Sequence, residues 1–255
     1  MNESEYELMN QLEDTHWWYI GLRGFLSGIF LKYKSLLPNK PTLLDVGCGT
    51  GANIKHFTNF FPGGTFSGFD TNPISLRNSK IKNPKADIYE SSIKNPELKH
   101  KDYDLITIID VLYTTGVENS LDGLRRIVNH LKTEGIIIIH NPAYPWLYSE
   151  HDKAVHTVER YTHKDMIKLC KIIGLEPVLI SYRNFFLFPF LVLHRMPRYF
   201  FKRDKIKNPN SDLKSSNKFL NKFLSILMKI ENIALRFNIS YPWGSSIFVV
   251  ACKKC

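Results

Sequence analysis

Cysteine is scarce and scattered: there are four, Cys48, Cys170, Cys252 and Cys255, and only the last two are close together. One Cys-x-x-Cys lacks the second pair that a structural zinc site needs. Neither a secretory leader nor the spacing of a disulfide framework accompanies it, which predicts reduced thiols in a cytoplasmic protein. Long apolar runs are also missing. The strongest candidate, Phe185 to Leu193, would reach about 13 Å as a helix against roughly 30 Å of hydrocarbon, so it does not span a bilayer. Acids are nearly absent from one region: from residue 181 onward fourteen Lys and Arg face three Asp and Glu, a net +11, while residues 1–180 sum to −1. The body is therefore electrically ordinary, and positive charge is concentrated in the later residues. A length of 255 residues suffices for one α/β domain with a full core and some embellishment, and the whole chain reads as that single domain.

The chain is organised around Leu43-Leu44-Asp45-Val46-Gly47-Cys48-Gly49-Thr50-Gly51. An apolar run interrupted only by Asp45 reads as a short buried strand, and Gly-x-Gly-x-Gly as a tight turn into a helix beginning near Ala52. Glycine permits backbone angles that a Cβ forbids and lets a ligand approach the main chain beside the free N–H groups of the helix. Such turns also bind pyrophosphate, so the run alone does not name its ligand. The acids narrow it. Asp45 before the turn would repel phosphate and orient a cation, and Asp70, ending the run Thr65 to Asp70, stands where ribose hydroxyls are held at the tip of a second strand. Ribose and an ammonium group without phosphate describe S-adenosylmethionine.

On these residues the chain resembles the class I S-adenosylmethionine-dependent methyltransferases, whose first motif reads much like LLDVGCGTG. The resemblance implies a Rossmann-like α/β fold: a seven-stranded, mostly parallel sheet with an antiparallel last strand. It also implies cofactor contacts from Asp45, Gly47, Cys48, Gly49, Gly51, Asp70, Thr71 and Asp110, with Ser91, Ser92 and Ile93 against the adenine. The family more often has Asp near Ser91 or Ser92. The fourth strand, Tyr103 to Asp110, is apolar on both faces, and its tip faces the transferring methyl group in that fold. Relatives commonly continue Val-Leu-Glu-His; this chain has Val111-Leu112-Tyr113-Thr114, so a metal or base role for that pair does not carry over, and Asp110 remains as the nearest carboxylate.

The opening segment, Glu3 to about Leu37, reads as helical and holds the aromatic patch His16-Trp17-Trp18-Tyr19 followed by Arg23. Residues 1–40 are expected to act as a lid, with Tyr19 and Arg23 closing over the amino-acid end of the cofactor; for Trp17 simple core packing is the better account. Further strands are expected at 86–89, 136–139, 177–182 and 246–252, with helices over 52–60 and 121–132.

The loop from Asn141 through Tyr161 leaves the carboxyl end of the Ile136–Ile139 strand, where α/β proteins place ligands, and it carries aromatic walls with imidazole, carboxylate and guanidinium groups. A subset of methyltransferases shows a similar Pro-Ala-Tyr…His-Asp…Arg-Tyr series together with the aromatic helix. Candidate catalytic residues are His151, Asp152, His156, Arg160 and Tyr161, with imidazole as the base that relieves an O or N acceptor of its proton. The competing account is a loop knitted by hydrogen bonds. No metal is expected, because His151 and His156 lack helical i, i+4 spacing and no cysteine is near.

Residues 185–240 form an insertion before the last strand. Apolar positions 220, 223, 227, 230, 234 and 237 lie along a helix over about 213–237, with Lys218, Lys222, Lys229 and Arg236 on its other side, the pattern of an interfacial helix on acidic lipid. The same pattern fits a helical cap over the acceptor pocket. The reading is a methyltransferase acting on an O or N of a small, hydrophobic or lipid-linked acceptor, cytoplasmic and peripheral on an anionic membrane surface. The alternatives are a catalytically silent cofactor-binding subunit and, ranked last, an RNA methyltransferase, because no nucleic-acid module is present.

Overall fold

Short apolar runs ending at turn-forming residues make the strands, and polar caps ahead of apolar stripes make the helices. The computed structural model describes residues 3–200, 217–237 and 239–253. The elements run α1 (Glu3–Leu12), α2 (Trp17–Lys32), β1 (Thr42–Val46), α3 (Ala52–Phe60), β2 (Thr65–Asp70), α4 (Pro73–Lys82), β3 (Asp87–Glu90) and β4 (Tyr103–Ile109). Then follow α5 (Leu112–Thr115), α6 (Val117–Asn129), β5 (Leu131–Pro142), α7 (Glu150–Ala154), α8 (His163–Ile172), β6 (Glu176–Arg183), α9 (Phe188–Phe200), α10 (Lys218–Arg236) and β7 (Ser246–Cys252). The strands form one sheet in the order β3-β2-β1-β4-β5-β7-β6. Only β7 is antiparallel; it lies between β5 and β6, with Ile136 opposite Cys252 at one end and Pro142 opposite Ser246 at the other. This is the Rossmann-like α/β fold expected, with the insertion preceding the antiparallel strand. Strand β4 is buried along its whole length, as a parallel strand covered on both faces must be.

Three expectations are corrected. The opening segment is not one helix: residues 13–16 separate α1 from α2, and α2 is capped by His16, whose Nδ1 accepts from the Trp18 amide at 3.4 Å. The helix expected to reach Lys132 ends at Asn129, and β5 begins at Leu131, paired with Tyr103 ahead of a register shift. The insertion helix presents two faces rather than one stripe.

Helix α10 lies along α2, and small residues make the approach close: a Cβ on Gly21 would stand 2.9 Å from Met228 Cβ. Asn232 Nδ2 donates to the Gly21 carbonyl at 2.8 Å. Asn221 Oδ1 accepts from the Trp17 amide at 2.8 Å, and its Nδ2 donates to the Thr15 carbonyl at 2.8 Å, so the insertion finishes the N-terminus of α2. Met228, Glu231, Asn232 and Leu235 are buried there, whereas Phe219, Phe223, Ile226, Ile230, Ile233 and Phe237 are exposed at steps of four and three. Of the positions expected to form one stripe, Leu220, Phe223, Ile230 and Phe237 face outward while Leu227 and Ala234 are partly buried. Residues 201–216, with the expected helix start and Lys202, Arg203, Lys205, Lys207 and Lys214, lie outside the described residues, as does Cys255. No helix among the described residues is long and apolar enough to cross a membrane.

Candidate active site

The turn after β1 takes its shape from three glycines at positive φ, Gly47 at 67°, Gly49 at 53° and Gly51 at 84°. A Cβ on Gly47 would collide with the Val111 side chain beyond the tip of β4, and one on Gly51 with Ser79 and Asn83 of α4. The turn is stitched to β2: the Cys48 amide donates to the Phe69 carbonyl at 2.9 Å and the Gly49 amide to Asp70 Oδ2 at 2.9 Å, while Asp70 Oδ1 accepts from the Asn72 amide at 2.9 Å. Burial raises Asp70 above the usual carboxylate range against those donors. Asp45 is more deeply enclosed. Its Oδ1 accepts from Thr107 Oγ1 at 2.6 Å, its Oδ2 is buried with no hydrogen-bond partner, and burial, with Asp70 adding repulsion, pushes the group up to about 7. Cys48 lies buried between these acids, its thiol driven well above its ordinary value by burial and then by Asp45 and Asp70. Two enclosed carboxylates, one with a free oxygen, and a main chain bare of Cβ atoms fit a ligand that brings positive charge to the turn.

Helix α1 lies over this turn. A Cβ on Gly49 would stand 3.3 Å from Met9 Cε. Buried Glu13 accepts from the Thr50 hydroxyl and pairs with Lys82 of α4, whose Nζ also donates to Asn10 Oδ1 at 2.9 Å. Arg23 donates to the Glu13 carbonyl and is lowered by burial against the charges of Asp14, Glu13 and Tyr19. Tyr19 packs edge-on to Trp18 with ring centroids 4.9 Å apart. Tyr113 of α5 is pushed far above the usual phenol range by burial, then by Asp110, Tyr6, Tyr19 and Asp152. Those groups, from separate elements, therefore share one neighbourhood.

On the other side of the turn Thr71 is exposed, the Ser91 amide donates to the Asp70 carbonyl at 3.2 Å, Ser91 Oγ accepts from the Glu97 amide at 2.9 Å and Ser92 Oγ from the Lys94 amide at 3.3 Å. Ile93 is buried with its carbonyl pressed on Gly123 of α6, where any Cβ would collide.

The loop after β5 is held by its own polar groups. Asp152 accepts from the Ser149 amide at 2.8 Å, from Ser149 Oγ at 3.0 Å and from Arg160 Nε at 2.8 Å. Arg160 also donates to the Ala143 carbonyl. Burial raises Asp152, but the Arg160 charge and these donors outweigh it and hold the group below the usual range. The buried Tyr161 hydroxyl lies 2.9 Å from Glu159 Oε2 and 3.1 Å from the Leu112 carbonyl. His156 is exposed at φ 59°, and His151 is half-buried. Asp152, Arg160 and Tyr161 are thus held by hydrogen bonds to the loop and its neighbours.

The sequence reading overlooked a second polar chain. Asp110, at φ 54°, accepts from His140 Nδ1 at 3.0 Å, and Arg183 reaches across β7 to place its guanidinium 3.2 Å from His140 Nε2. The sequence marks them only weakly: His140 follows the run Ile136 to Ile139 but stands beside Asn141, and Arg183 ends β6 beside Asn184.

A family model described as a methyltransferase domain matches residues 22–176, more than half of the chain, from α2 to the start of β6. The chain belongs to the class I S-adenosylmethionine-dependent methyltransferase family. Among curated relatives, this methyltransferase is 25% identical over 118 residues to a dTDP-3-amino-3,4,6-trideoxy-alpha-D-glucopyranose N,N-dimethyltransferase of Streptomyces venezuelae, covering 46% of this chain and 47% of the relative. It is 24% identical over 115 residues to a dTDP-3-amino-3,6-dideoxy-alpha-D-glucopyranose N,N-dimethyltransferase of Streptomyces fradiae, covering 45% and 43%. The methyltransferase thus spans under half the length of the curated relatives it matches. Among solved structures, the plantazolicin methyltransferase BpumL in complex with SAH superposes with a TM-score of 0.60 at 17% identity, covering all of this chain and 91% of BpumL, a likeness of fold.

Proposed function

We propose that this protein transfers a methyl group from S-adenosylmethionine to a nitrogen or oxygen of a small, hydrophobic or lipid-linked acceptor, in the cytoplasm and at an anionic membrane surface. The observation that carries the donor half is Asp45, a buried carboxylate with one unpaired oxygen beside a glycine turn. A sulfonium nucleoside with an amino-acid tail supplies the opposite charge. Asp45 faces that charge, Gly47, Cys48, Gly49 and Gly51 cradle the nucleoside on main chain, Asp70 and Thr71 hold the ribose, and Ser91, Ser92 and Ile93 border the adenine. Tyr19 and Arg23 close the amino-acid end under a lid built from residues 1–40. Bound there, the cofactor supplies an already activated methyl carbon, so the protein's work is orientation, exclusion of water and removal of a proton from the acceptor. Arg160, Asp152 and Tyr161 keep the acceptor loop in shape, and His151 and His156 are its remaining imidazoles.

Two observations support the acceptor half. Both curated relatives are named as N,N-dimethyltransferases of amino sugars, acceptors of small size. The insertion, residues 185–240, presents an exposed apolar face on α10 beside Lys218, Lys222 and Lys229, within a region of net charge +11, which suits acidic lipid. Incubation with methyl-labelled cofactor and a cell extract separated into lipid and aqueous metabolites is expected to place label in a small or lipid-linked amine or alcohol. Label in no fraction, with S-adenosylhomocysteine binding intact by calorimetry, would instead favour a cofactor-binding interaction subunit; label in RNA would overturn the acceptor class.

A further inference from the structure

Asp110 closes β4 in the left-handed region, a conformation that costs a non-glycine residue energy and that here turns its carboxyl toward β5. Its amide donates to the His140 carbonyl at 2.9 Å, and its Oδ1 is 3.0 Å from His140 Nδ1. The other ring nitrogen of His140 faces Arg183 at 3.2 Å. A guanidinium carries donors only, so His140 Nε2 must accept and the single ring proton must sit on Nδ1, pointing at Asp110. Arg183, fully buried, is held from behind by the face of Phe25 at 4.7 Å and by the charge of Glu231, whose Oε1 accepts from the Asn184 amide at 2.6 Å. Donation therefore runs in one direction, from Arg183 on β6 through His140 on β5 to Asp110 at the tip of β4. It occupies only one oxygen at its end: Asp110 Oδ2 is enclosed and has no hydrogen-bond partner. The next residue, Val111, is the one that Gly47 must make room for, so Asp110 adjoins a residue in contact with the glycine turn.

Resting on the methyl-donor reading above, we propose that Asp110 Oδ2 binds the nitrogen of a primary or secondary amine acceptor and takes its proton, with His140 and Arg183 as positioning residues. An ammonium brings a positive charge that answers an unpaired carboxylate oxygen, whereas a hydroxyl does not. A carboxylate is also too weak a base for an alcohol, and the one imidazole in contact has its lone pair committed to Arg183. The steps balance: the ammonium gives one proton to Asp110 Oδ2, the freed lone pair forms the nitrogen–carbon bond, and the electrons of the broken sulfur–carbon bond stay on sulfur. The N-methylammonium product leaves, and Asp110 returns its proton to solvent.

Octylamine and octanol, of equal chain length, are the probes. Titrated into the complex with S-adenosylhomocysteine, octylamine is expected to bind about tenfold or more tightly than octanol. Asp110→Asn removes that preference, leaving octanol and S-adenosylhomocysteine affinities within about threefold, and lowers kcat for label transfer to octylamine about a hundredfold. Equal binding of the two probes, or an undiminished Asn variant, overturns the proposal. A parallel loss of S-adenosylhomocysteine affinity in the variant makes Asp110 a cofactor ligand instead, and bound octylamine that receives no label removes the proton-accepting role. Should the Asn variant fold poorly, His140→Asn carries the test, with octylamine binding weakened and octanol binding kept. Wild-type protein that binds no S-adenosylhomocysteine is a separate failure, of the methyl-donor reading itself.

Discussion

On the proposed cofactor assignment, Asp45 sets how cofactor binding responds to pH. With its carboxyl pushed up to about 7, the folded protein keeps a proton there that the unfolded chain has lost above about 4. Folding stability from this group therefore falls as pH rises from about 4 to about 7 and levels off above it. A cationic ligand favours the ionised form, so S-adenosylmethionine affinity should rise between pH 6 and 8, by about tenfold at most, with proton release on binding below pH 7. Calorimetry in buffers of different ionisation heat measures both, and Asp45→Asn should flatten the curve while weakening binding. Asp152 has the opposite sign. Held below its usual value, it contributes stability above about pH 4 that is lost as pH falls through its lowered folded value. Arg160→Met leaves that buried carboxylate only its Ser149 donors and the more distant Arg195 charge, and should cost about 3 kcal/mol at pH 7, read by urea unfolding, with the difference shrinking toward pH 3.

The elements show what a sequence pattern can and cannot carry. Strands β2 and β7 and helix α3 fall where their apolar runs, glycines and prolines put them, because local pattern and tertiary burial agree. The start of β5 was hidden because Lys132, Thr133 and Glu134 are exposed and give no apolar signal. The break between α1 and α2 was hidden because neither glycine nor proline marks it; Glu13 is drawn instead to Thr50 and Lys82, partners far along the chain. The glycine turn and Asp45 could be read from nine consecutive residues, and Asp70 from the apolar run that it ends. The Asp110–His140–Arg183 chain could not, since its members are joined only once β5, β7 and β6 lie side by side. The seat of α10 depends on Gly21, so Gly21→Val should lower Tm by several degrees and raise hydrogen exchange along α10, with the glycine-turn residues unchanged in hydrogen exchange.

For the molecule as a whole, charge and apolar exposure fall on the same part of the chain. Residues 1–180 sum to −1 and residues 181–255 to +11, and the outward face of α10 offers Phe223 and Ile230 at 57% and 52% exposure, beside Lys222 and Lys229. Vesicles rich in phosphatidylserine should carry the protein upward in flotation at low salt, and neutral phosphatidylcholine vesicles should not. Phe223→Ser with Ile230→Ser should reduce flotation at least about tenfold without lowering Tm, since neither side chain is buried. Equal recovery from both vesicle types would remove the membrane half of the proposal. The sheet order has a consequence for synthesis. Strand β5 emerges from the ribosome roughly a hundred residues before its neighbour β7, and β6 waits for the same strand. Until then two apolar edges stand open on the nascent polypeptide, and α8, made in that interval and packed against β6 in the finished fold, is on hand to cover part of that surface from neighbouring chains.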